Sequence, residues 1–308
     1  VAVLDCVVEG ASVENAAAPS GAVDASFIGM TGGFVGYAEG VTKYDGLSEG
    51  LGIGVDGLQT LLNIIPGVGA GDLIELLKGN AISLDKLIPT GYYNPVIARC
   101  SVGLADDATI GTLETDYAGG FVGLQIGTVI EDSHVTAAQD LAVSARHFAG
   151  GFAGLMRDAE MEGLLNNLGA DLIRVGQPQS VAVGSTVSAR SLTVEAADHA
   201  GGFAGAMAAS YVVDSNVAVK SALDVRATQR FAGGLVGEAT LGWVTNLGYD
   251  EHDEDLLGLL SSALTAALRS DSSGQLLSLM GFNPASIQGC SVAGASVEVA
   301  AEDAYAGG

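Results

Sequence analysis

Basic residues are scarce in this chain. Only 12 of its 308 residues are Lys or Arg, against 36 Asp or Glu, so the formal net charge is −24. Such a charge argues against nucleic acid as a partner and against anionic membrane surfaces. No apolar run reaches the roughly 18 residues that a membrane-spanning helix needs, so we expect no membrane insertion. We interpret the acidity as a source of solubility for a surface protein.

Cysteine is also scarce, and the number is odd. The three cysteines are Cys6, Cys100 and Cys290, which is not the pattern of a disulfide framework. Each occupies the same position of an internal repeat, where other copies carry serine. We therefore predict three buried free thiols, with a Cys6–Cys100 bridge as the alternative.

Signatures of common catalytic and metal sites are missing. None of the four histidines has i+3 or i+4 spacing to another histidine or cysteine, which argues against zinc. The chain contains no Walker-type loop, G-x-S-x-G elbow or H-E-x-x-H motif. We expect no catalytic residue, no bound cofactor and no metal ligand set, and we predict that the protein is not an enzyme.

Glycine, by contrast, is abundant and ordered. The string G-G-F-V-G at Gly32–Gly36 returns, with Ala or Leu variants, and the chain ends on a sixth glycine pair. The two shortest intervals, from Gly120 to Gly151 and from Gly202 to Gly234, are 31 and 32 residues. A motif that recurs at such spacing is typical of repeat proteins, whose units bury apolar faces against their neighbours. The later copies begin at Gly119, Gly150, Gly201, Gly233 and Gly307.

Two further patterns lie between successive glycine pairs. One reads apolar-x-x-[Cys/Ser]-x-Val, as in Ile130–Val135, and the other alternates apolar residues, as in Leu141 and Val143. A residue that is usually aromatic stands two positions before most glycine pairs, and in one unit this residue is His199. We expect His199 to pack within an aromatic ladder.

Three short strand segments in about 31 residues predict an all-β fold, a parallel β-helix of about six coils that forms one domain over residues 1–308. Right-handed coiling is expected for parallel crossovers. Equivalent glycines should stack in one column. Its predicted members are Gly33, Gly120, Gly151, Gly202, Gly234 and Gly308.

Three insertions interrupt the repeat, over residues 44–93, 156–176 and 242–282. Cap residues, leucine spacing and an Asn-Pro or Gln-Pro return predict mainly helical segments on one flank of the solenoid. All three follow the G-G-F-x-G strand, which is apolar on both sides and needs cover on both. Either the helices provide that cover, or they form a partner-binding surface with the strand.

The pattern resembles the GLUG-type repeats of bacterial cell-surface proteins. That resemblance is carried by Gly120-Phe121-Val122-Gly123 with Val129–Val135, and by Gly289–Gly294. It implies an extracellular β-solenoid segment of an adhesin-like protein, and it implies no catalytic residues.

Two function classes follow. The first is a non-catalytic structural or adhesive segment at the cell surface, with a protein or glycan of a host or neighbouring cell as partner. The second is a carbohydrate-active β-helix, which needs converging carboxylates. The column Asp5, Arg99, Asp132, Gly184, Asp214 and Gly289 is the candidate, and we interpret it as a solvated turn.

Two expectations concern the ends and the acidic run of the chain. The sequence starts within a strand and stops within a repeat, so we expect a piece of a longer protein, able to associate end to end. The acidic run 250–255 precedes a predicted helix, where acids are favoured, and calcium binding there is left open.

Overall fold

The structure is a computed structural model that describes residues 2–10, 12–13, 29–43, 91–159, 179–240, 285–302 and 305–307. Within these ranges the regular secondary structure is entirely β-strand. The strands stack as a parallel β-solenoid, in which each coil contributes one strand to each of several sheets. The all-β, parallel architecture predicted from the repeat is confirmed.

Five parallel sheets run along the solenoid, named here A to E in their order within a coil. Sheet A consists of Ala2–Leu4, Val96–Ala98, Val129–Glu131, Val181–Val183, Tyr211–Val213 and Ser286–Gln288. Sheet B consists of Val7–Gly10, Ser101–Leu104, His134–Ala137, Thr186–Ala189, Asn216–Val219 and Ser291–Ala293. Sheet C consists of Ala108–Ile110, Asp140–Ala145, Ser191–Ala196, Ala222–Ala227 and Ser296–Ala301.

The glycine-rich motif supplies the other two parallel sheets. Sheet D consists of Met30–Gly32, Tyr117–Gly119, Phe148–Gly150, His199–Gly201, Phe231–Gly233 and Tyr305–Gly307. Sheet E consists of Val35–Glu39, Val122–Ile126, Ala153–Arg157, Ala204–Ala208 and Val236–Thr240. Outside these sheets, Val41–Lys43 pairs antiparallel with Gly91–Tyr93.

Each of the four central coils has five described strands where the sequence pattern predicts three. The apolar-x-x-[Cys/Ser]-x-Val segment divides into strands of sheets A and B, because the residue before the Cys/Ser position, such as Asp132, has a positive φ. The glycine motif likewise bends after Gly119 and resumes at Val122 in another sheet. A period-two pattern does not register such a bend, because the apolar residues continue through it.

The predicted glycine column is present from Gly33 to Gly234, while its last predicted member, residue 308, lies outside the described residues. A Cβ added to Gly151 would lie 2.1 Å from the carbonyl oxygen of Gly202, and one added to Gly202 would lie 2.1 Å from that of Gly234. Only glycine permits so close an approach of one coil to the next.

Aromatic and aliphatic ladders fill the interior. Phe34, Phe121, Phe152 and Phe203 stack with centroid separations of 4.7 to 4.9 Å, and the last three are fully buried. The predicted valine column is buried in its four central members and exposed at Val8. Equivalent residues repeat at about 4.8 Å, so similar side chains pack against one another along the stack.

The Cys/Ser column is confirmed, but its burial is not uniform. The hydroxyl or thiol of each member donates to the carbonyl oxygen two residues earlier, at 2.9 Å for Ser133 and 3.3 Å for Cys100. All three thiols are free, yet only Cys100 is buried, whereas Cys6 is exposed and Cys290 is half-buried. The prediction of three buried thiols is therefore wrong for Cys6 and Cys290, which occupy the outermost described coils and have a neighbouring coil on one side only.

The bodies of the three predicted helical insertions lie outside the described residues. Residues 91–93, at the end of the first predicted insertion, form an antiparallel strand outside the parallel sheets. The predicted start of the second insertion is wrong, because Met156 and Arg157 complete a strand of sheet E. Met156 is fully buried in the core, as are its neighbours along the column, so apolar character alone did not mark where the insertion begins.

Candidate functional site

The outer side of sheets D and E carries an apolar cluster separate from the core. We call it the outer apolar face, defined by Leu124, Ile126, Phe148, Leu155 and Ala206, each at most 5% exposed. The prediction that the glycine-motif strand is apolar on both sides is thus confirmed. A sheet that is buried on both sides requires a second apolar layer.

The chain leaves sheet E in two alternating ways. In the second and fourth coils it turns directly into sheet A, through the positive-φ residues Gly127 and Ala209. In the first, third and fifth coils one of the three intervals that interrupt the repeat follows the sheet E strand instead. The departures are therefore two coils apart, or about 9.6 Å.

An aromatic ladder borders the outer apolar face. Tyr117, Phe148, His199, Phe231 and Tyr305 stack in order, with the His199 ring 4.7 Å from Phe148 and 5.4 Å from Phe231 between centroids. The predicted packing of His199 within this ladder is confirmed. Burial raises the pKa of the Tyr117 hydroxyl, so it remains protonated and acts as part of the packing surface.

His199 combines this packing with one ionic contact. Its side chain is 1% exposed, and its Nε2 lies 2.9 Å from a carboxylate oxygen of Glu238 in the next coil. Among the described residues, its buried Nδ1 has no hydrogen-bond partner. A proton on Nε2 satisfies the contact with Glu238, because a carboxylate oxygen accepts hydrogen bonds.

A second column, which the sequence analysis did not identify, consists of charged residues. We call it the acid–base ladder: Asp116, His147, Asp198 and Arg230, each immediately before a member of the aromatic ladder. Acid and base alternate along it, so each carboxylate has a cationic or ionisable neighbour in the adjacent coil. Aligning the repeats on the aromatic residue would have revealed it.

Its contacts join successive coils. His147 Nδ1 lies 2.5 Å from an oxygen of Asp198, and its Nε2 lies 3.5 Å from one of Asp116. Asp116 also pairs with Arg146 and accepts a hydrogen bond of 3.0 Å from the backbone N–H of Gly29. Arg230 Nε lies 3.6 Å from Asp198.

The environment of Asp198 favours its charged form. Burial acts to raise the pKa of this carboxyl, but the hydrogen bond from His147 and the charges of His147, His199 and Arg230 outweigh it. The net effect is a lowered pKa for Asp198. Asp198 is therefore held in its ionised form beside basic groups of the neighbouring coils.

The column considered for carbohydrate chemistry forms a turn, as predicted, and the structure adds that the turn is left-handed. Its six members have φ between 45° and 64°. Asp5 receives two hydrogen bonds from Arg99, at 2.6 and 3.0 Å, and hydrogen bonding to this side chain is the main cause of the lowered pKa of Asp5. Arg99 separates Asp5 from Asp132, so the carboxylates of this column do not pair.

The two glycines of this turn column make room for acids of the preceding coil. A Cβ at Gly184 would lie 2.4 Å from Oδ1 of Asp132, and one at Gly289 would lie 2.1 Å from Oδ1 of Asp214. Each carboxylate thus occupies the space above a residue that has no side chain. Solvated turns of this kind separate like charges and present no converging catalytic pair.

Across the part of the chain that the structure describes, no three His, Cys, Asp or Glu side chains come together as a metal site would require. The acidic run 250–255, where calcium binding was left open, lies outside that part.

No helix among the described residues is long and apolar enough to cross a bilayer.

Comparison of the chain with family models, with curated proteins and with solved structures found no match.

Proposed function

We propose that this chain is a non-catalytic scaffold segment of an extracellular bacterial surface protein, with a structural or adhesive role. The observation that most supports this proposal is that the repeated positions hold the coils together. Glycine, valine, phenylalanine and Cys/Ser columns pack the coils, and contacts between acidic and basic side chains join successive coils. A stack built in this way is a stiff, regular body with long side surfaces, which suits display or adhesion.

The likeness of Gly120–Gly123 and Gly289–Gly294 to GLUG-type repeats supports the proposed location at the cell surface. The excess of acidic residues agrees with an exposed, soluble segment. The partner we propose is a protein or glycan on a host or neighbouring cell.

We further propose that the coil is right-handed, as parallel crossovers are, and that the insertions form one helical layer over the outer apolar face. Their departure points are about 9.6 Å apart, within the roughly 8 to 10 Å between packed helix axes. One helical segment for every second coil would thus cover the face without gaps. Cross-linking or an experimental structure that places them on another flank would refute this.

The ends of the stack support a proposal of self-association. Apolar side chains in the outermost described coils are exposed, with Val7 at 64% and Ile287 at 42%. Exposed parallel strand edges with apolar neighbours can pair with a second copy end to end. Sedimentation at increasing concentration tests this, and a monomer throughout would contradict it.

A panel of cell-surface and plant polysaccharides tests both parts of the main proposal, the absence of catalysis and the adhesive role. The protein is incubated with each glycan, and new reducing ends and bound protein are both measured. We expect no turnover, and saturable binding to one glycan would assign an adhesive role. Turnover of any polysaccharide would refute the scaffold and establish the carbohydrate-active alternative.

A further inference from the structure

The two ends of the solenoid expose the same columns of residues. The first and the last described coils each contribute a strand to sheets A, B and D, and these strands are outermost in their sheets. Val8 and Val292 belong to one column of sheet B, and Glu9 and Ala293 belong to another. Each end therefore lacks the neighbouring coil that the opposite end of a second copy would supply.

A second copy can meet an end of the stack in two ways. In a head-to-tail arrangement its first coil follows the last coil of the other copy, so each sheet continues into the same sheet with parallel strands. In a two-fold arrangement two identical ends meet, and the order of the sheets around the coil is reversed in one copy. Most of the sheets then face a different sheet. Continuity of the ladders therefore favours the head-to-tail contact.

The charges at the two ends permit this contact. Among the described strands of sheets A, B and D, those of the last coil contain no charged residue, and those of the first coil contain only Glu9. In the turn column, Gly289 of one copy would precede Asp5 of the next. The chain itself contains the same step, from Gly184 to Asp214. The contact thus places no like charges opposite each other, which would oppose strand pairing.

We infer, on the basis of the self-association proposed above, that a second copy of this chain docks head to tail, so that sheets A, B and D run on from one copy into the next. The paired strands are Ser286–Gln288 with Ala2–Leu4, Ser291–Ala293 with Val7–Gly10, and Tyr305–Gly307 with Met30–Gly32. Because the two contacting surfaces differ, each added copy leaves a free end, and the assembly grows as an open filament.

The thiols at the two ends report this contact. With Ser in place of Cys100, as in other coils, Cys6 and Cys290 are the remaining thiols. Within one chain they are separated by five steps of about 4.8 Å, too far for a bridge, whereas the head-to-tail contact places them in adjacent coils. Oxidised glutathione is the oxidant, since it accepts two electrons and leaves as two glutathione thiols when the Cys6–Cys290 bond forms. We expect dimers, trimers and higher species on a non-reducing gel, with Cys6 and Cys290 in the linked peptides.

Single-thiol variants test the polarity. Cys6→Ser or Cys290→Ser in the same background leaves one thiol, so only symmetric dimers can form. We expect these dimers to form at least about tenfold more slowly, because only the head-to-tail contact holds two thiols at a high effective concentration. Symmetric dimers that form as fast as the mixed bridge would overturn the proposed polarity.

A charge swap tests the register without any thiol. Ala293→Glu places a carboxylate opposite Glu9 of the next copy, and we expect association to weaken by about two- to fivefold. Adding Glu9→Lys to the same chain should restore it. Thr136→Glu is the matched control, because it adds the same charge in the same column, exposed but three coils from the end. Equal weakening by the control would contradict the register.

Sedimentation of the reduced protein separates the possible failures. Association without a Cys6–Cys290 bridge would refute the head-to-tail contact and leave self-association in place. A monomer at every concentration would refute both. The glycan panel is run on the same protein without oxidant, so a failure of the scaffold proposal, seen as turnover, is distinct from either result.

Discussion

Replacement of Gly151 by alanine should separate two coils at the centre of the solenoid. The new Cβ would lie 2.1 Å from the carbonyl oxygen of Gly202, which is 1.3 Å short of the 3.4 Å at which ordinary contact begins. It would also lie 2.9 Å from Cδ2 of Leu192. The obstacle is mainly backbone, so a change of rotamer cannot remove it.

The expected loss in the free energy of unfolding follows from the backbone that the new methyl group displaces. A displacement of that size breaks the bonds from Gly151 N–H to the carbonyl of Gly201, at 3.2 Å, and from Phe152 N–H to that of Phe203, at 2.8 Å. Each lost bond costs about 1 kcal/mol, and overpacking adds about 1 to 3 kcal/mol. We therefore expect Gly151→Ala to lower the free energy of unfolding by about 3 to 5 kcal/mol.

Gly103→Ala is the matched control, since the same methyl group would meet nothing nearer than 3.8 Å. Its backbone is not left-handed, so alanine should be neutral or stabilise by up to about 1 kcal/mol through the unfolded state. Urea unfolding followed by circular dichroism gives both values. Equal stability of the two variants would refute the close packing of the glycine column.

Three further predictions concern the core, the thiols and the acid–base ladder. Phe152→Ala should cost about 3 to 5 kcal/mol in urea unfolding, because it empties a place in a fully buried ring stack, and a loss below about 1 kcal/mol would contradict that packing. Thiol titration of the native protein should label Cys6 quickly, Cys290 slowly and Cys100 only after denaturation, since burial also raises the pKa of the Cys100 thiol; fast labelling of Cys100 would be the contrary result. The lowered pKa of Asp198 means that its stabilising effect is present above about pH 3.8, its ordinary value, and is lost as the pH falls through the lower folded value. Asp198→Asn should therefore reduce the loss of stability between about pH 4 and about pH 2, and an unchanged acid transition would count against the ladder.

The repeat predicts those features that depend on one residue per coil. The glycine column, the stacking of His199 between aromatic rings and the free Cys/Ser column all follow from aligning the units. Each follows from a parallel stack in register, in which equivalent residues of successive coils lie next to each other.

Other features depend on geometry that the pattern does not record. The left-handed turn at Asp132 divides one apolar segment into two strands, and a single Asp gives little sign of it. The exposure of Cys6 depends on its place at the end of the stack, not on its surroundings in sequence.

The acid–base ladder was missed for a related reason. Asp116 and His147 are ordinary charged residues within their own units, and they become a site only when the coils are superposed. A motif search within one unit cannot find a contact between units.

All of these arguments require the coils to stack in register, and a pair of engineered cysteines tests this most directly. Thr186 and Asn216 are neighbours on adjacent strands of sheet B, about 4.8 Å apart, which is a distance that a disulfide spans. In a background where Ser replaces Cys6 and Cys290, as it does in other coils, Thr186→Cys with Asn216→Cys should oxidise readily to one intramolecular bridge. Thr186→Cys with Ala218→Cys, two residues out of register and about 7 to 8 Å apart, should not. Bridging of the second pair in preference to the first would contradict the register and the ladders that depend on it.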